Sequence, residues 1–333
     1  MVSNVVIKLG CDPELFVRSR KTGEFVSAHD LLPGTKQKPH EVIGGAVQVD
    51  GVAAEFNIIP ALTANQFSSN IQTVMGELQK FIGPDYELIS NPAVTFPEKY
   101  FKSLPEDTRI LGCNPDFNAW TGQVNETPDG DSTTMRTAAG HVHIGWCDGV
   151  DPNDSTHFED CCIIAKNLDY YLGLYSLQWD QDTQRRRLYG KAGSFRPKSY
   201  GIEYRPLSNV WLRTSTHQQW VFNAAYTCLN SLINGGERLD KTFGSIAREF
   251  IDNSESWWTK EDSVKSKDHK KISKLSTLTG LRNPPPMPSE MAPKEVSKPM
   301  PKKAGFKYDT MKFNGLTNPW AVNPTVLPSD AEE

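Results

Sequence analysis

The stretch Tyr200-Gly-Ile-Glu-Tyr-Arg-Pro-Leu-Ser-Asn209 predicts a short β-strand that carries two polar residues on one face. Tyr and Ile are common in strands, and Gly201 and Pro206 bracket the segment. Because side chains alternate between the two faces of a strand, we expect Glu203 and Arg205 on the same face. A carboxylate beside a guanidinium suits a metal-bound phosphate. The simpler alternative is an exposed ion pair, which contributes little stability.

Three other predicted strands repeat this spacing of polar residues. A buried sheet face should be apolar, and a solvated one should carry more Lys and Thr. The four pairs together therefore predict one concave sheet face that lines a polar cleft. Carboxylates with an imidazole suit Mg²⁺ or Mn²⁺, and arginines bind phosphate or carboxylate through paired hydrogen bonds. The three further pairs are Asp12/Glu14, Glu55/Asn57 and His141/His143, and the candidate arginines are Arg136, Arg196 and Arg205.

Turn and periodicity signals predict the elements around these strands. Hairpins are expected at residues 17–26 and around Asp50-Gly51, and another strand at residues 87–94. Apolar residues at helical spacing predict helices over residues 64–82, 154–180 and 214–233, the first capped by Thr63. The charged run at Arg185, Arg186 and Arg187 reads as a solvated or ion-paired face. No glycine-rich phosphate loop is present, so metals and arginines would have to hold any nucleotide.

Composition favours a globular protein of 333 residues with a net charge of −4, which gives no general attraction to nucleic acid or anionic membrane. No apolar run approaches the roughly 20 residues of a membrane helix, and the N-terminus does not resemble a signal peptide. The six cysteines include no CxxC pair. We therefore expect a cytoplasmic protein with free thiols.

The chain divides by composition into a domain at residues 1–250 and a tail at residues 251–333. A lysine-rich run opens the tail, and ten of the 23 prolines lie between Pro284 and Pro328. Such a segment buries too little apolar surface to fold alone, so it is expected to be largely disordered. Its late aromatic residues could dock on the domain or on a protein partner.

Four separated blocks carry the polar pairs in a characteristic order: Gly10–Phe16, Asp50–Pro60, Gly140–Gly145 and Tyr189–Trp211. In this order they resemble the phage-type COOH–NH2 ligases (amidoligases, type 2) of the glutamine synthetase and glutamate–cysteine ligase superfamily. The resemblance covers about residues 5–235 and leaves the tail outside. It implies an α+β fold in which a curved antiparallel sheet forms a concave active-site cleft, with helices on its outer face.

The same resemblance implies a site for ATP and roughly two or three Mg²⁺ or Mn²⁺ ions. By motif position, Glu14, Glu55 and Glu203 look like metal ligands. His141 looks like a metal ligand or a neighbour of the triphosphate, and His143 like a contact of ATP or substrate. Arg196 and Arg205 look like the γ-phosphate clamp, with Arg136 and Lys191 as further members. The loop at residues 113–120 could close the substrate side.

The implied activity is ATP-dependent ligation of a carboxylate to an amine through an acyl phosphate, in the host cytoplasm if the protein is phage-encoded. Asp12, Asp50 and Glu55 are the candidates for accepting the amine proton. The first rival is a zinc hydrolase using His141 and His143, with a third ligand from His29, His40, His157 or a carboxylate. The second is a non-catalytic phage structural or binding protein that retains the fold, with the tail as its docking arm.

Overall fold

A computed structural model describes residues 5–109, 116–126, 133–180, 182–254 and 274–286, without the side chains at 184 and 187. The fold is α+β, with antiparallel strands in a curved half-barrel sheet and helices packed on it. The strands are β1 Lys8–Cys11, β2 Glu14–Ser19, β3 Phe25–Val26, β4 His40–Val42, β5 Gly45–Asp50, β6 Ala53–Ile58, β7 Tyr86–Ile89, β8 Ala93–Thr95, β9 Phe117–Asn118, β10 Gln123–Val124, β11 Met135–Thr137, β12 Val142–Gly145, β13 Ser194–Lys198 and β14 Gly201–Tyr204. The helices are α1 Ala64–Ile82, α2 Glu98–Ser103, α3 Glu106–Arg109, α4 Ser155–Leu168, a π-helical turn Asp169–Gly173, α5 Leu174–Ser176, α6 Thr183–Leu188, a 3₁₀ turn Asn209–Arg213, α7 Ser215–Ile233, α8 Leu239–Phe243, α9 Ile246–Asn253 and α10 Leu275–Thr279.

Two six-stranded sheets meet along the first strands of the chain. One has the order β1-β12-β14-β13-β9-β10, and the other β3-β2-β6-β5-β4, with β7 also paired to β2. The chain leaves the first sheet at Cys11 and enters the second at Glu14. Two backbone hydrogen bonds join Leu9 of β1 to Ala61, which follows β6. The two sheets are therefore joined through β1 and β2.

The helices cover the apolar side of the sheets. Helix α1 packs against β5, β6 and β7, and α4 packs against β13 and β14. Thr63 caps α1 by accepting a hydrogen bond from the Gln66 amide, as the sequence predicted. Phe67 of α1 stacks on Trp211 in the core, with ring centroids 5.9 Å apart. In the described part of the chain, no helix has the length and apolar character needed to cross a lipid bilayer.

Three predicted elements differ from the structure in length or continuity. The strand expected over residues 87–94 is two strands, β7 and β8, which pair with different partners. The helix expected over residues 154–180 passes through the π-helical turn, where Asp169 turns its carboxylate to the sheet. The strand predicted within residues 200–209 is β14, and it ends at Tyr204 because Pro206 cannot donate a hydrogen bond to extend the ladder.

The packed part of the chain continues past the expected domain boundary at residue 250. Leu275 of α10 is fully buried in the main core. The Trp220 indole donates to the Arg282 carbonyl at 2.9 Å, and the His217 ring lies 2.8 Å from the Pro285 carbonyl. Residues 274–286, which compositional bias placed in the tail, therefore pack against the domain. The rest of that tail, beyond residue 254, lies outside the described residues.

Candidate functional site

A first row of polar residues crosses three neighbouring strands. His143 of β12 is the register partner of Glu203 in β14, and Glu203 is the partner of Arg196 in β13. The next row, which includes Tyr204 and Phe195, is fully buried toward the helices. Because faces alternate along each strand, the polar row lies on the opposite, concave side. The spacing of two in the sequence predicted this arrangement.

Glu203 is a buried carboxylate surrounded by cations. The Arg205 guanidinium donates to its Oε1 atom. The Lys198 Nζ atom lies 2.8 Å from Oε2, and the Arg196 Nη1 atom lies 3.6 Å from Oε1. Burial alone would raise the pKa of Glu203, but Lys198, Arg205 and Arg196 hold it well below its ordinary value. Glu203 is therefore ionised at neutral pH.

Asp12 joins this row from the break between β1 and β2. Its Oδ1 atom lies 2.9 Å from His143 Nε2 and 3.3 Å from His141 Nδ1. Burial opposes ionisation of Asp12, yet the two histidines lower its pKa below the ordinary value. Ligand atoms of Asp12, His143 and Glu203 lie within 4.8 Å of one another. Two carboxylates and an imidazole at this spacing could hold a divalent cation.

His141 has a different environment from His143. Its Nδ1 atom lies 3.3 Å from Arg205 Nη1 and 3.5 Å from Glu203. Burial first, and Arg205 second, lower the pKa of His141 to about 4, so the ring is neutral at neutral pH. The resemblance implied that His141 is a metal ligand or a neighbour of the triphosphate, and that His143 contacts ATP or substrate. The geometry instead brings His143 into the three-residue ligand set.

A second row crosses β2, β6 and β5. Glu14 is the register partner of Glu55, and Glu55 is the partner of Gln48. Glu14 accepts a hydrogen bond from the Ala139 amide at 2.8 Å, and Glu55 accepts one from the Gln48 amide at 2.7 Å. Gln48 is buried, and its Oε1 atom accepts no hydrogen bond within the described part of the chain. A buried free acceptor beside two carboxylates suits a bound cation.

The carboxylates of the second row resist ionisation. Burial and the nearby Asp50 raise the pKa of Glu14 to about 7, although the Ala139 amide and Lys36 oppose the shift. Burial, Asp50 and Asp12 raise the pKa of Glu55 well above its ordinary value. Like charges at this spacing cannot all ionise without a compensating cation. Lys36, 2.7 Å from Asp50, supplies part of that compensation.

A cleft lies beside these rows, and its lining includes Glu14, His141 and Arg205. Arg205 stands at its edge, where its Nε atom donates to Asp116 at 2.9 Å. Arg205 thereby bridges Asp116 of the loop before β9 and Glu203 of β14. Residues whose side chains carry charge along this cleft include Glu14, Asp50, Asp116, Arg136, Arg185 and Arg205.

The comparisons with known proteins add no assignment. No model of a known protein family matches the chain, and a search of curated proteins gives no match either. The resemblance to amidoligases therefore stays a prediction.

Two of the predicted phosphate ligands are placed less directly. Arg136 lines the cleft, but its guanidinium donates to the carbonyls of Thr133, Met135 and Arg109. It also lies 4.3 Å from the Phe101 ring centroid. Lys191 is exposed and does not line the described cleft. Arg196 and Arg205, by contrast, both contact Glu203 in the first row.

The prediction of a solvated or ion-paired face was wrong for Arg185. This side chain is almost fully buried and donates to the carbonyls of Ala138, Pro206 and Leu207. Its partner Gly190 has a φ of +79°, and a Cβ there would lie 2.2 Å from Arg185 Nη1. Arg186 is ion-paired to Asp180 as expected, although both are buried. The side chain of Arg187 and the loop start at Cys113 lie outside the described residues.

Sequence reasoning missed three members of the site, Lys198, Gln48 and Asp116. Asp12 was placed in the polar cleft by its spacing from Glu14 and named as a candidate proton acceptor, but it was not named as a metal ligand. Lys198 lies two residues after Arg196 on the same strand, so the period of two could have found it. Gln48 and Asp116 offered no such signal, because hairpin register brings Gln48 to Glu55 and loop position brings Asp116 to Arg205.

Proposed function

We propose that this protein is an ATP-dependent carboxylate–amine ligase that forms an amide bond through an acyl-phosphate intermediate. The observation that carries the proposal is the double role of strand β14. Its Glu203 belongs to a cation-binding set with Asp12 and His143, while its Arg205 faces the cleft two residues later. Cation ligands beside guanidinium groups suit a polyphosphate substrate. The curved antiparallel sheet also supports a glutamine synthetase-like catalytic domain.

Two groups of residues would hold Mg²⁺ or Mn²⁺ in this proposal. Asp12, His143 and Glu203 form one set, with ligand atoms at suitable spacing. Glu14 and Glu55 form the second, and the free Gln48 oxygen fits a cation there. When bound, such cations offset the negative charge of the phosphates and of the group being transferred.

The chain's own residues bind and orient the reactants. Arg196 and Arg205 would bind the γ-phosphate of ATP, where a guanidinium stabilises the transferring group. A substrate carboxylate attacks the γ-phosphorus, and ADP leaves as the acyl phosphate forms. An amine then attacks the acyl carbon, phosphate leaves, and the amine proton passes to a carboxylate. Asp12, Asp50 and Glu55 are the candidate acceptors, and holding the reactants together supplies much of the rate enhancement.

The three histidines offered as a third ligand for the zinc-hydrolase rival lie away from His141 and His143. His157 lies between the Lys198 and Gly201 carbonyls, His29 pairs with Asp30, and His40 contacts Phe81. A zinc site would then need the carboxylates of Asp12 or Glu203. These hard oxygen ligands favour Mg²⁺ or Mn²⁺. A docking role for the tail stays a prediction, since most of the tail lies outside the described residues.

The test is ADP formation by the full chain with Mg²⁺ and mixtures of amino acids and peptides. We expect amine- and carboxylate-dependent ADP release, reduced about 100-fold or more in Glu203→Gln because lost cation binding removes several kcal/mol of charge stabilisation. Glu41→Gln, an exposed change on β4, is the matched control and should retain activity. Failure to bind nucleotide, with or without metal, would refute the ligase. Full activity of Glu203→Gln would refute the site assignment.

A further inference from the structure

The turn between β13 and β14 is held by the segment after β12 and by His157 of α4. The amides of Trp146 and Cys147 donate to the Tyr200 carbonyl at 3.0 and 3.2 Å. The ring of His157 lies 2.9 Å from the Lys198 carbonyl, which fixes the other end of the turn. Gly201 has a φ of +149°, and a Cβ there would lie 2.2 Å from the Ile144 carbonyl oxygen. The backbone of the turn therefore has little freedom to move.

This turn places the Tyr200 hydroxyl beside the His143 ring, at the nitrogen that faces away from Asp12. The hydroxyl forms a short hydrogen bond with His143 Nδ1. The opposite ring nitrogen, Nε2, lies 2.9 Å from Asp12. Tyr200, His143 and Asp12 thus form a chain of contacts that ends in the Asp12–His143–Glu203 set.

We propose that Tyr200 is a positioning residue that orients the His143 ring so that Nε2 faces the Asp12–Glu203 pair and can bind a divalent cation. The inference rests on the cation site of the proposed function. It assigns a role to a side chain that was not among the predicted site residues.

The chemistry of the hydroxyl explains why tyrosine suits this position. Without a cation, Nε2–H can donate to Asp12 while the Tyr200 hydroxyl donates to Nδ1. Binding a cation through Nε2 requires the other tautomer, in which Nδ1–H donates and the tyrosine oxygen accepts. A hydroxyl can donate or accept by rotating, so Tyr200 holds one ring orientation in both states. Phenylalanine would keep the ring packing but would lose this hydrogen bond.

A partner on the remote nitrogen of a metal-bound histidine typically changes metal affinity 10–100-fold when it is removed. We therefore expect Tyr200→Phe to weaken Mn²⁺ binding by about 10–100-fold. The measurement is titration of the full chain with Mn²⁺ alone, with free ion followed by electron paramagnetic resonance. Tyr226→Phe, which removes an exposed hydroxyl on α7, is the matched control and should not change affinity.

A double-mutant cycle separates positioning from a general structural effect. If Tyr200 acts through His143, then Tyr200→Phe should change Mn²⁺ affinity less than about threefold in a His143→Ala background, since coupled residues are not additive. The His143 tautomer in the cation-free protein, read from its ¹⁵N chemical shifts, should also change in Tyr200→Phe and stay unchanged in Tyr226→Phe.

Three outcomes would overturn the inference: no Mn²⁺ binding by the wild-type protein, unchanged affinity in Tyr200→Phe, or an equal loss in both backgrounds. The ligase proposal is tested separately by ADP formation. Mn²⁺ binding that depends on Tyr200 without ATP turnover would refute the ligase and support the inference. ATP turnover with unchanged Mn²⁺ affinity in Tyr200→Phe would support the ligase and refute the positioning role of Tyr200.

Discussion

Glu14 and Glu55 lie directly opposite one another on two hydrogen-bonded antiparallel strands, and the pKa of each is raised by burial and by Asp50. Like charges in register normally destabilise a sheet. The first row differs, because Lys198, Arg205 and Arg196 keep Glu203 ionised. Side-chain cations therefore already neutralise the carboxylate of the first row. The carboxylates of the second row can ionise together only if a cation binds beside them.

Divalent cations should stabilise the folded protein by binding to the ionised carboxylates of Glu14 and Glu55. At a concentration of Mg²⁺ or Mn²⁺ about 100 times its Kd, we expect roughly 2.7 kcal/mol of added stability at pH 7.5. The gain should be much smaller in Glu55→Gln, which removes one ligand and one like charge, and unchanged in the exposed control Glu41→Gln. Thermal unfolding with Mg²⁺, Mn²⁺ or a chelator checks this. An equal gain in Glu55→Gln would show that the second row does not bind the cation.

Arg205→Lys should separate phosphate stabilisation from cation binding. Arg205 contacts both Asp116 and Glu203, and a lysine keeps the charge without the two-sided geometry. We expect ADP formation to fall by about 100-fold or more, as for other lost transition-state donors. Mn²⁺ affinity should change little, in contrast to Glu203→Gln. Arg248→Lys, a partly exposed change on α9, is the control, and a parallel loss of Mn²⁺ affinity in Arg205→Lys would contradict the division of roles.

Asp169 predicts a pH dependence of folding stability. It accepts hydrogen bonds from Trp120, Tyr204 and the Gly193 amide, but burial outweighs them and raises its pKa from 3.8 to about 7. The folded protein thus holds a proton that the unfolded chain releases. Its stabilisation is complete below pH 3.8 and is lost as the pH rises through about 7.

Asp169→Asn removes this titration while the other groups are retained. The unfolding free energy of the wild type minus that of Asp169→Asn should therefore fall between pH 4 and pH 8, by at most roughly 4 kcal/mol. Urea unfolding of both proteins at four pH values across that range measures the difference. A difference that stays constant, or that rises with pH, would contradict the raised pKa.

Local signals predicted the hairpins and helices well because short-range physics determines them. Asp50-Gly51 forms the turn between β5 and β6, with a φ of +54° at Gly51, and Thr214 caps α7. The distribution of ligands between two rows could not be predicted in this way. The break at Pro13 sends Asp12 to the histidines and Glu14 to Glu55, and only the long-range register of the sheets determines those partners.

Burial of charge was also beyond local reasoning. Arg185 belongs to a polar run, yet three carbonyls from distant segments accept its hydrogen bonds inside the core. Composition misled in the same way at residues 274–286, because a biased segment can still contain a few residues that complete a core. Leu275 is such a residue, and its truncation tests whether residues 274–286 belong to the packed domain.

Leu275→Ala should destabilise the domain although the residue lies beyond the compositional boundary. Leu275 is fully buried, whereas Leu278 on the same helix is 44% exposed. Truncating a buried leucine typically costs 2–5 kcal/mol, so we expect a loss of about 3 kcal/mol for Leu275→Ala and under about 0.5 kcal/mol for Leu278→Ala. Urea unfolding of the full chain compares the two variants. Both are Leu→Ala changes on the same helix, so their effects on helix propensity are equal. Equal, small effects would show that α10 does not complete the core, and the predicted boundary at residue 250 would stand.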